Sequence, residues 1–395
     1  MEKPKIRFKS FEKKWESYRL SEYSRYRRGS FPQPYGNKEW YGGNNAMPFV
    51  QVVDVLENLR LVADTKQKIS TLAQPMSVFV PSDSVIVTLQ GSIGRVAITQ
   101  YDAYVDRTIL IFEDFISQTN KEFWAYTIRN KFEIERQKAP GGTIKTITKE
   151  ALSDFKVSIP NYSEQSAIGS LFRTLDDVLA SYKENLANYQ SLKATMLSKI
   201  FPKAGQTVPE IRLDGFEDEW EEKEFSKLVK RVTQSSDSDS LPKVEFEDII
   251  SGQGRLNKDI SGKFDNRKGI HFKPGYTLYG KLRPYLNNWL LPKFEGVALG
   301  DFWVFDPNGN DSNFIYYLVQ SNRYQKVAND TSGTKMPRSD WKSVSSTIFA
   351  IPQTIAEQQA IGAYFSNLDN LINSYQEKIS QLETLKKKLL QDMFI

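Results

Sequence analysis

At 395 residues the chain is too long for one small core, and the length predicts two or three domains. Its 39% apolar and 26% charged residues are those of a globular protein, and no apolar run nears the roughly 20 residues of a membrane span. The lack of cysteine excludes disulfides and thiolate metal sites, and a net charge of +5 leans only weakly toward a polyanionic partner. Met1-Glu2-Lys3-Pro4-Lys5 lacks the apolar core of a signal peptide, so the expected location is the cytoplasm, with no membrane contact.

The chain opens with a short segment, Pro4-Lys5-Ile6-Arg7-Phe8 and Phe11-Glu12-Lys13-Lys14-Trp15-Glu16. Both pieces recur as Pro209-Glu210-Ile211-Arg212-Leu213 and Phe216-Glu217-Asp218-Glu219-Trp220-Glu221. A first body, from Trp15 to Ser158, begins with a basic, aromatic loop over Tyr23–Ser30 that carries Arg25, Arg27 and Arg28. Strand-like runs follow at Ser77–Val80, Val85–Leu89, Val96–Thr99 and Thr108–Phe112. Gln90-Gly91-Ser92-Ile93-Gly94-Arg95 turns between two of them, and Phe123–Phe132 reads as helix. A Gly-rich loop, Ala139–Lys145, leads to a short helix that Thr148 could cap.

A long helix is then predicted from a Ser163 cap to Ile200, ended by Phe201-Pro202-Lys203-Ala204-Gly205. Apolar residues at 168, 172, 175, 179, 182, 186, 189, 192, 196 and 200 form one stripe. The stripe recurs at a constant offset: Glu164-Gln165-Ser166-Ala167-Ile168-Gly169 meets Glu357-Gln358-Gln359-Ala360-Ile361-Gly362, and Phe201 meets Phe394. Two such stripes in one chain are expected to bury each other as an antiparallel coiled coil.

The second body, Trp220 to Thr347, follows the order of the first. Val232–Ser240 reads as a polar, mobile loop, and Ser251–Lys268 as the counterpart of the basic loop in body one. Tyr276–Leu290 is strand, turn, strand around Gly280-Lys281-Leu282-Arg283-Pro284. Ser332–Arg338 matches the Gly142-Thr143 loop, with Ser339 as a helix cap, and Thr354-Ile355-Ala356-Glu357 opens the second long helix as a capping box. The expected fold is α/β (α+β): two globular bodies with mixed or antiparallel sheets, two long antiparallel helices, and an internal pseudo-twofold repeat. The boundaries are 1–158, 159–205, 206–350 and 351–395.

Motifs for catalysis are missing. His271 has no partner set, there is no phosphate-loop sequence, and Gly91-Ser92-Ile93-Gly94 lacks the third glycine of a dinucleotide fingerprint. No Asn-Pro-Pro-Tyr tetrapeptide of amino-methyltransferases occurs, and carboxylates at Glu217–Glu222 with Lys223 only faintly resemble a nuclease. What is present is cations beside glycines. The candidate contacts are Arg25, Arg27 and Arg28; Ser92 and Arg95 with Thr143 and Lys145; Arg255, Lys258, Lys263, Arg267 and Lys268; and Lys281 and Arg283 with Thr334, Lys335 and Arg338. Arginine can take guanine bidentately, and lysine or a backbone N–H beside glycine can hold phosphate. A helix from Ser163 to Ile200 would span about 55 Å. That length separates two readers by more than one DNA turn, about 34 Å.

The tandem of body plus helix, with Ile159-Pro160…Glu164-Gln165-x-Ala167-Ile168 and its copy Ile351-Pro352…Glu357-Gln358-x-Ala360-Ile361, resembles the specificity (S) subunits of type I restriction–modification systems. Gly91–Arg95, Lys281-Leu282-Arg283-Pro284-Tyr285-Leu286 and Gly333-Thr334-x-Met336-Pro337 add to the resemblance, which covers nearly the whole chain. It implies two target-recognition domains, each reading one half of a bipartite site on double-stranded DNA, and helical spacers that dock two methyltransferase (M) subunits. Restriction (R) subunits would join that core. The chain would be non-catalytic and hold no cofactor of its own; S-adenosylmethionine, ATP and Mg²⁺ would belong to the partners. Body one has Ile144-Lys145-Thr146 where body two has Lys335-Met336-Pro337, a departure from the paired-loop pattern. Asp176, Glu184, Asp369 and Glu377 are the expected partner contacts on the outer helix surfaces. The alternative is a coiled-coil adaptor whose bodies bind protein.

Overall fold

A computed structural model describes residues 4–138, 152–330 and 336–394. Thr143, Lys145, Thr148, Thr334 and Lys335 lie outside the described residues. The chain divides into two compact units, Met1–Lys183 with Lys378–Ile395, and Glu184–Glu377.

In unit one, the strands are β1 (Glu16–Arg19), β2 (Ser24–Arg28), β3 (Met47–Val50), β4 (Gln67–Ile69), β5 (Val78–Val80), β6 (Val85–Thr88), β7 (Val96–Ile98), β8 (Ala103–Val105), β9 (Ile109–Phe115) and β10 (Lys156–Ile159). The main sheet runs β2-β9-β6-β7, and a second runs β4-β3-β8-β5. The β-branched run of β6 is buried at every position because both faces are covered. Val85 and Val87 join the core under helix α1 (Lys121–Lys138), whereas Ile86 joins the core shared with the second sheet. Asn120 caps α1, its Oδ1 accepting from the Phe123 N–H at 2.9 Å.

The β1–β10 ribbon delivers the chain to helix α2 (Tyr162–Ile200). Its cap is Asn161, whose Oδ1 accepts from the Glu164 N–H at 3.0 Å, and not Ser163. The expected basic loop over Tyr23–Ser30 is mostly β2 instead, paired antiparallel with β9, and a one-turn helix precedes it.

Unit two repeats this plan with β11 (Glu221–Glu224), β12 (Lys230–Val232), β13 (Ser235–Ser236), β14 (Lys243–Val244), β15 (Ile249–Ile250), β16 (Arg255–Leu256), β17 (Gly269–Phe272), β18 (Thr277–Gly280), β19 (Trp289–Leu290), β20 (Gly296–Ala298), β21 (Phe302–Asp306) and β22 (Ile348–Ile351). Its main sheet, β12-β21-β18-β19, reproduces the order of β2-β9-β6-β7. Strand β21 shares its residues in the same way. Trp303 and Phe305 face helices α3 (Ser312–Leu318) and α4 (Asn322–Ala328), while Phe302 and Val304 face the second sheet.

The counterpart of basic β2 is therefore β12, with Lys230 and Arg231, and not Ser251–Lys268. That stretch follows the short turn at Asp248, which matches the turn at Asp54 in body one. Both aspartates are buried, and each accepts from the backbone N–H three residues earlier, at 2.8 Å from Gln51 and 2.9 Å from Glu245. Asp340, and not Ser339, caps the short helix Trp341–Ser345. Helix α5 (Ile355–Met393) is capped by Thr354, whose Oγ1 accepts from the Glu357 N–H at 3.3 Å.

The other half of that expected capping box is not made, because the Glu357 carboxylate is committed elsewhere. It receives Arg212 Nε and Nη2 at 2.8 Å each and Trp220 Nε1 at 3.0 Å. Glu164 does the same in unit one, taking Arg7 Nε and Nη2 at 2.7 Å each and Trp15 Nε1 at 3.2 Å. This accounts for the repeated Ile-Arg, Trp and Glu of the sequence: they are one buried knot made twice. The adjacent glutamines bridge helix and body in both units. Gln165 accepts from the Asn120 N–H at 2.9 Å, and Gln358 from the Asp311 N–H at 3.0 Å. Gly169 and Gly362 follow because a Cβ there would fall 2.5 Å from Asn120 Oδ1 and 2.7 Å from Asp311 Oδ1.

Within each unit the two long helices run antiparallel. In unit one Phe172 meets Phe394 at 5.6 Å between ring centroids, and Lys183 meets Glu383 at 2.6 Å. In unit two Tyr189 meets Tyr375 at 5.3 Å and Phe201 meets Phe365 at 6.0 Å. The end of α5 also reaches the leading segment, where the Ile6 N–H donates to Asp392 O at 3.0 Å.

The apolar stripe is not continuous. Leu192 and its copy Leu385 are 41% and 46% exposed, and the neighbouring lysines take the seam. Lys193 Nζ lies 2.6 Å from Asp369 and 5.4 Å from the Tyr317 ring centroid, while the Tyr317 hydroxyl donates to Asp369 at 2.9 Å. Lys386, Asp176 and Tyr126 form the same arrangement in unit one. Asp176 and Asp369 are thus internal, their side chains 12% and 19% exposed, and are not the outward partner contacts the sequence predicts. Glu184 and Glu377 remain exposed.

Candidate nucleic-acid interface

The equivalent hairpins β6–β7 and β18–β19 place one turn at the same point of each main sheet. In body two the turn is a knuckle braced from two sides. Arg283 adopts φ +48°, ψ +61° and Asn287 φ +55°, a left-handed region that costs a non-glycine residue about 1–2 kcal/mol. The Arg283 N–H donates to Pro337 O at 2.7 Å, and the Gly252 N–H to Asn287 O at 3.0 Å. This bracing turns the Arg283 side chain into solvent with no partner among the described residues. Tyr285, Leu286 and Met336 are also exposed, at 57%, 39% and 52%. Lys281 and Arg338 share one carboxylate, Asp301, at 3.6 and 2.9 Å, so the knuckle keeps a net positive charge.

The body-one turn is built differently. Gly91 and Gly94 have φ of +68° and +79°, and a Cβ on Gly94 would sit 2.7 Å from Phe132 Cβ. Thr88 ties the loop together, donating to Ser92 O at 2.5 Å and accepting from the Arg95 N–H at 3.0 Å. Ser92 is exposed. Arg95 donates to Val55 O at 3.3 Å and lies 3.6 Å from Glu57.

The remaining sequence candidates separate by what they touch. On β2, Arg27 meets Glu113 at 2.5 Å and Arg25 pairs with Glu113 and Asp114, both on the neighbouring strand; Arg28 is exposed and has no partner among the described residues. Lys258, Lys263 and Arg267 serve the protein itself. Lys258 and Lys263 lie 3.0 and 2.7 Å from buried Asp248, and Lys263 and Arg267 each lie 2.6 Å from Glu245. Burial of Asp248 opposes ionisation, yet Lys263, the Glu245 N–H and Lys258 hold its carboxyl below the usual range. Arg267 and Lys263 lower Glu245 likewise. These pairs fix a loop that has almost no regular structure. Arg255 turns to α5, donating to Gln376 at 3.0 Å. Lys268 stays exposed without a partner among the described residues.

Among the described candidates, those both exposed and without an ion pair are therefore Arg28, Ser92, Lys268 and Arg283, whereas Arg25, Arg27, Lys258, Arg267 and Arg338 are exposed but paired. Sequence reading missed Tyr285, Leu286 and Met336 beside Arg283, because exposure of an apolar side chain depends on how the turn is braced. His271 meets Glu295 at 2.7 Å. No group of three or more metal-ligating side chains occurs among the described residues, and no helix there is long and apolar enough to cross a membrane.

The type I restriction modification DNA specificity domain matches this chain twice, at residues 12–189 and 218–384. The EcoDI specificity subunit of Escherichia coli is 22% identical over 351 residues, 76% of each chain. The MjaVIII specificity subunit of Methanocaldococcus jannaschii is 18% identical over 401 residues, 95% of this chain and 91% of the relative. The crystal structure of a type I restriction–modification S subunit from M. genitalium shares the fold at a TM-score of 0.62 and 14% identity, covering 100% of this chain and 99% of that one. A second structure, from work on complex assembly and conformational transition of the type I system, aligns at TM-score 0.55 and 14% identity over 96% and 97%. Matched by its domain in both halves, the chain belongs to the type I restriction–modification DNA specificity family.

Proposed function

We propose that the chain is the sequence-reading subunit of a type I restriction–modification complex, with one body for each half of a bipartite site on double-stranded DNA. One observation carries this reading: the same main sheet presents the same hairpin turn in both bodies, but the two turns carry different chemistry. A duplicated scaffold with unlike tips suits two unlike targets. The candidate base-reading groups are Arg283 in body two and Ser92 in body one, with Arg28 and Lys268 as phosphate contacts. Thr143, Lys145, Thr334 and Lys335 belong to the same proposal on sequence grounds.

In this reading the chain is non-catalytic. The long helices set the gap between half-sites and dock two methyltransferase subunits, and restriction subunits join that core. S-adenosylmethionine, ATP and Mg²⁺ act in those partners. The setting is the cytoplasm.

Binding of duplex DNA by the chain assembled with its methyltransferase subunits, followed across a salt series, tests the reading. Several Lys and Arg contacts to phosphate predict a steep fall in affinity with salt. Binding that ignores salt and sequence would favour a protein-binding adaptor instead. Arg283→Ala is expected to remove about 1–3 kcal/mol of discrimination at one base position of one half-site. Competition with single-base variants of the site measures it, and equal weakening on every variant would make Arg283 a phosphate contact.

A further inference from the structure

Among the described residues, Arg129 of α1 is a partly buried guanidinium whose Nη1 is closed to solvent without a hydrogen-bond partner, and it forms no ion pair. A donor closed to water calls for an acceptor. One charged neighbour that feels it, Lys386, is a second cation already held by Asp176.

The repeat shows that the fold does not need this charge. Counting from shared anchors, with Asn120 matching Asp311, Phe123 matching Phe314 and Tyr126 matching Tyr317, Arg129 falls on Gln320. There a neutral amide suffices: Gln320 accepts from Lys193 Nζ at 3.1 Å and donates to Tyr316 O at 3.2 Å.

Arg129 lines a cleft of about 480 Å³ whose rim is the β6–β7 turn, Gly91–Arg95. Two other cations line it, but both are paired: Arg95 lies 3.6 Å from Glu57 and Arg136 2.6 Å from Glu133. Among the described residues that line it, Arg129 is thus the cation without an ion pair, and it shares the cleft with the exposed Ser92 of the turn.

We propose that Arg129 binds a backbone phosphate of the DNA whose bases the β6–β7 turn reads, a contact that body two lacks. This rests on the DNA-reading function argued above. A guanidinium offers phosphate a planar pair of donors, and such a contact positions the duplex without reading its sequence. A phosphate also supplies the missing counter-charge.

The test uses the chain assembled with its methyltransferase subunits and Arg129→Gln, which installs the residue of the repeat. Duplex binding is expected to weaken about tenfold at fixed salt, and the slope of log affinity against log salt to become shallower by about one. The loss should be equal on the cognate site and on a site altered in the body-one half, and Arg129→Lys should keep the slope. The melting temperature should hold or rise, because an unpaired charge is removed.

Unchanged affinity and slope would overturn the proposal. So would a loss confined to the cognate sequence, a fall in melting temperature, or release of the methyltransferase subunits, which would assign Arg129 to a protein carboxylate. Absence of salt-dependent, sequence-specific binding by the unaltered assembly would overturn the functional reading instead.

Discussion

Glu164→Ala is expected to destabilise unit one by about 3–5 kcal/mol, the cost of breaking a buried ion pair and leaving one charge uncompensated. The Glu164 side chain is fully buried, and Arg7, only 17% exposed, would lose both hydrogen bonds to that carboxylate and keep only the one to Lys13 O. Trp15 Nε1 would lose its acceptor as well. The leading segment and the start of α2 are joined through this knot, so the damage should spread through unit one. Glu357→Ala should cost a similar amount in unit two, where Arg212 and Trp220 stand in the same relation. Denaturant unfolding gives the magnitude, and hydrogen exchange shows which unit loosens. A cost below about 1 kcal/mol for both variants would mean that the knots accompany the fold without supporting it.

Phe394→Ala should cost about 3–5 kcal/mol, because a large ring leaves a well-packed site. Phe394 stacks on Phe123 at 5.6 Å with planes 18° apart and packs against Phe172, with only 8% of its surface exposed. It thereby fixes the last turn of α5 onto body one, far along the chain. Its copy Phe201 plays the same part in unit two against Phe314 and Phe365, so Phe201→Ala should match it. Thermal melting and exchange of the Ile6 amide, which donates to Asp392 O, report the effect. A protected Ile6 amide in Phe394→Ala would contradict the role given to the ring.

Periodicity and self-comparison were enough to locate both long helices, four of the ten strands described in unit one (β5, β6, β7 and β9), and the equivalence of the two halves. These features depend on patterns within tens of residues or on one constant offset. The failures share a cause. Arg25 and Arg27 read as free cations because Glu113 and Asp114 lie far away in sequence; Lys263 is likewise paired with Glu245 and Asp248, while Arg267 adds to Glu245 the nearby Asp265. Long-range pairing of charge has no local signature. Counting apolar residues placed Leu192 and Leu385 in the seam, whereas the folded chain puts Lys193 and Lys386 there, because a Tyr and an Asp converge on each ammonium. Arg129 escaped notice since an arginine on an amphipathic helix is unremarkable until its partners are sought. Ser163 looked like a cap, but Asn161 stands immediately before the first helical residue, Tyr162, where the free helical N–H groups begin.

The central claim is that each body reads one half of a bipartite site. Replacing body one by that of another family member, and then mapping the methylated sites in the genome of a host carrying the chimaera, tests it most directly. The account predicts a bipartite motif in which one half changes, while the other half and the gap stay as they were. A motif altered in both halves, or in neither, would contradict it.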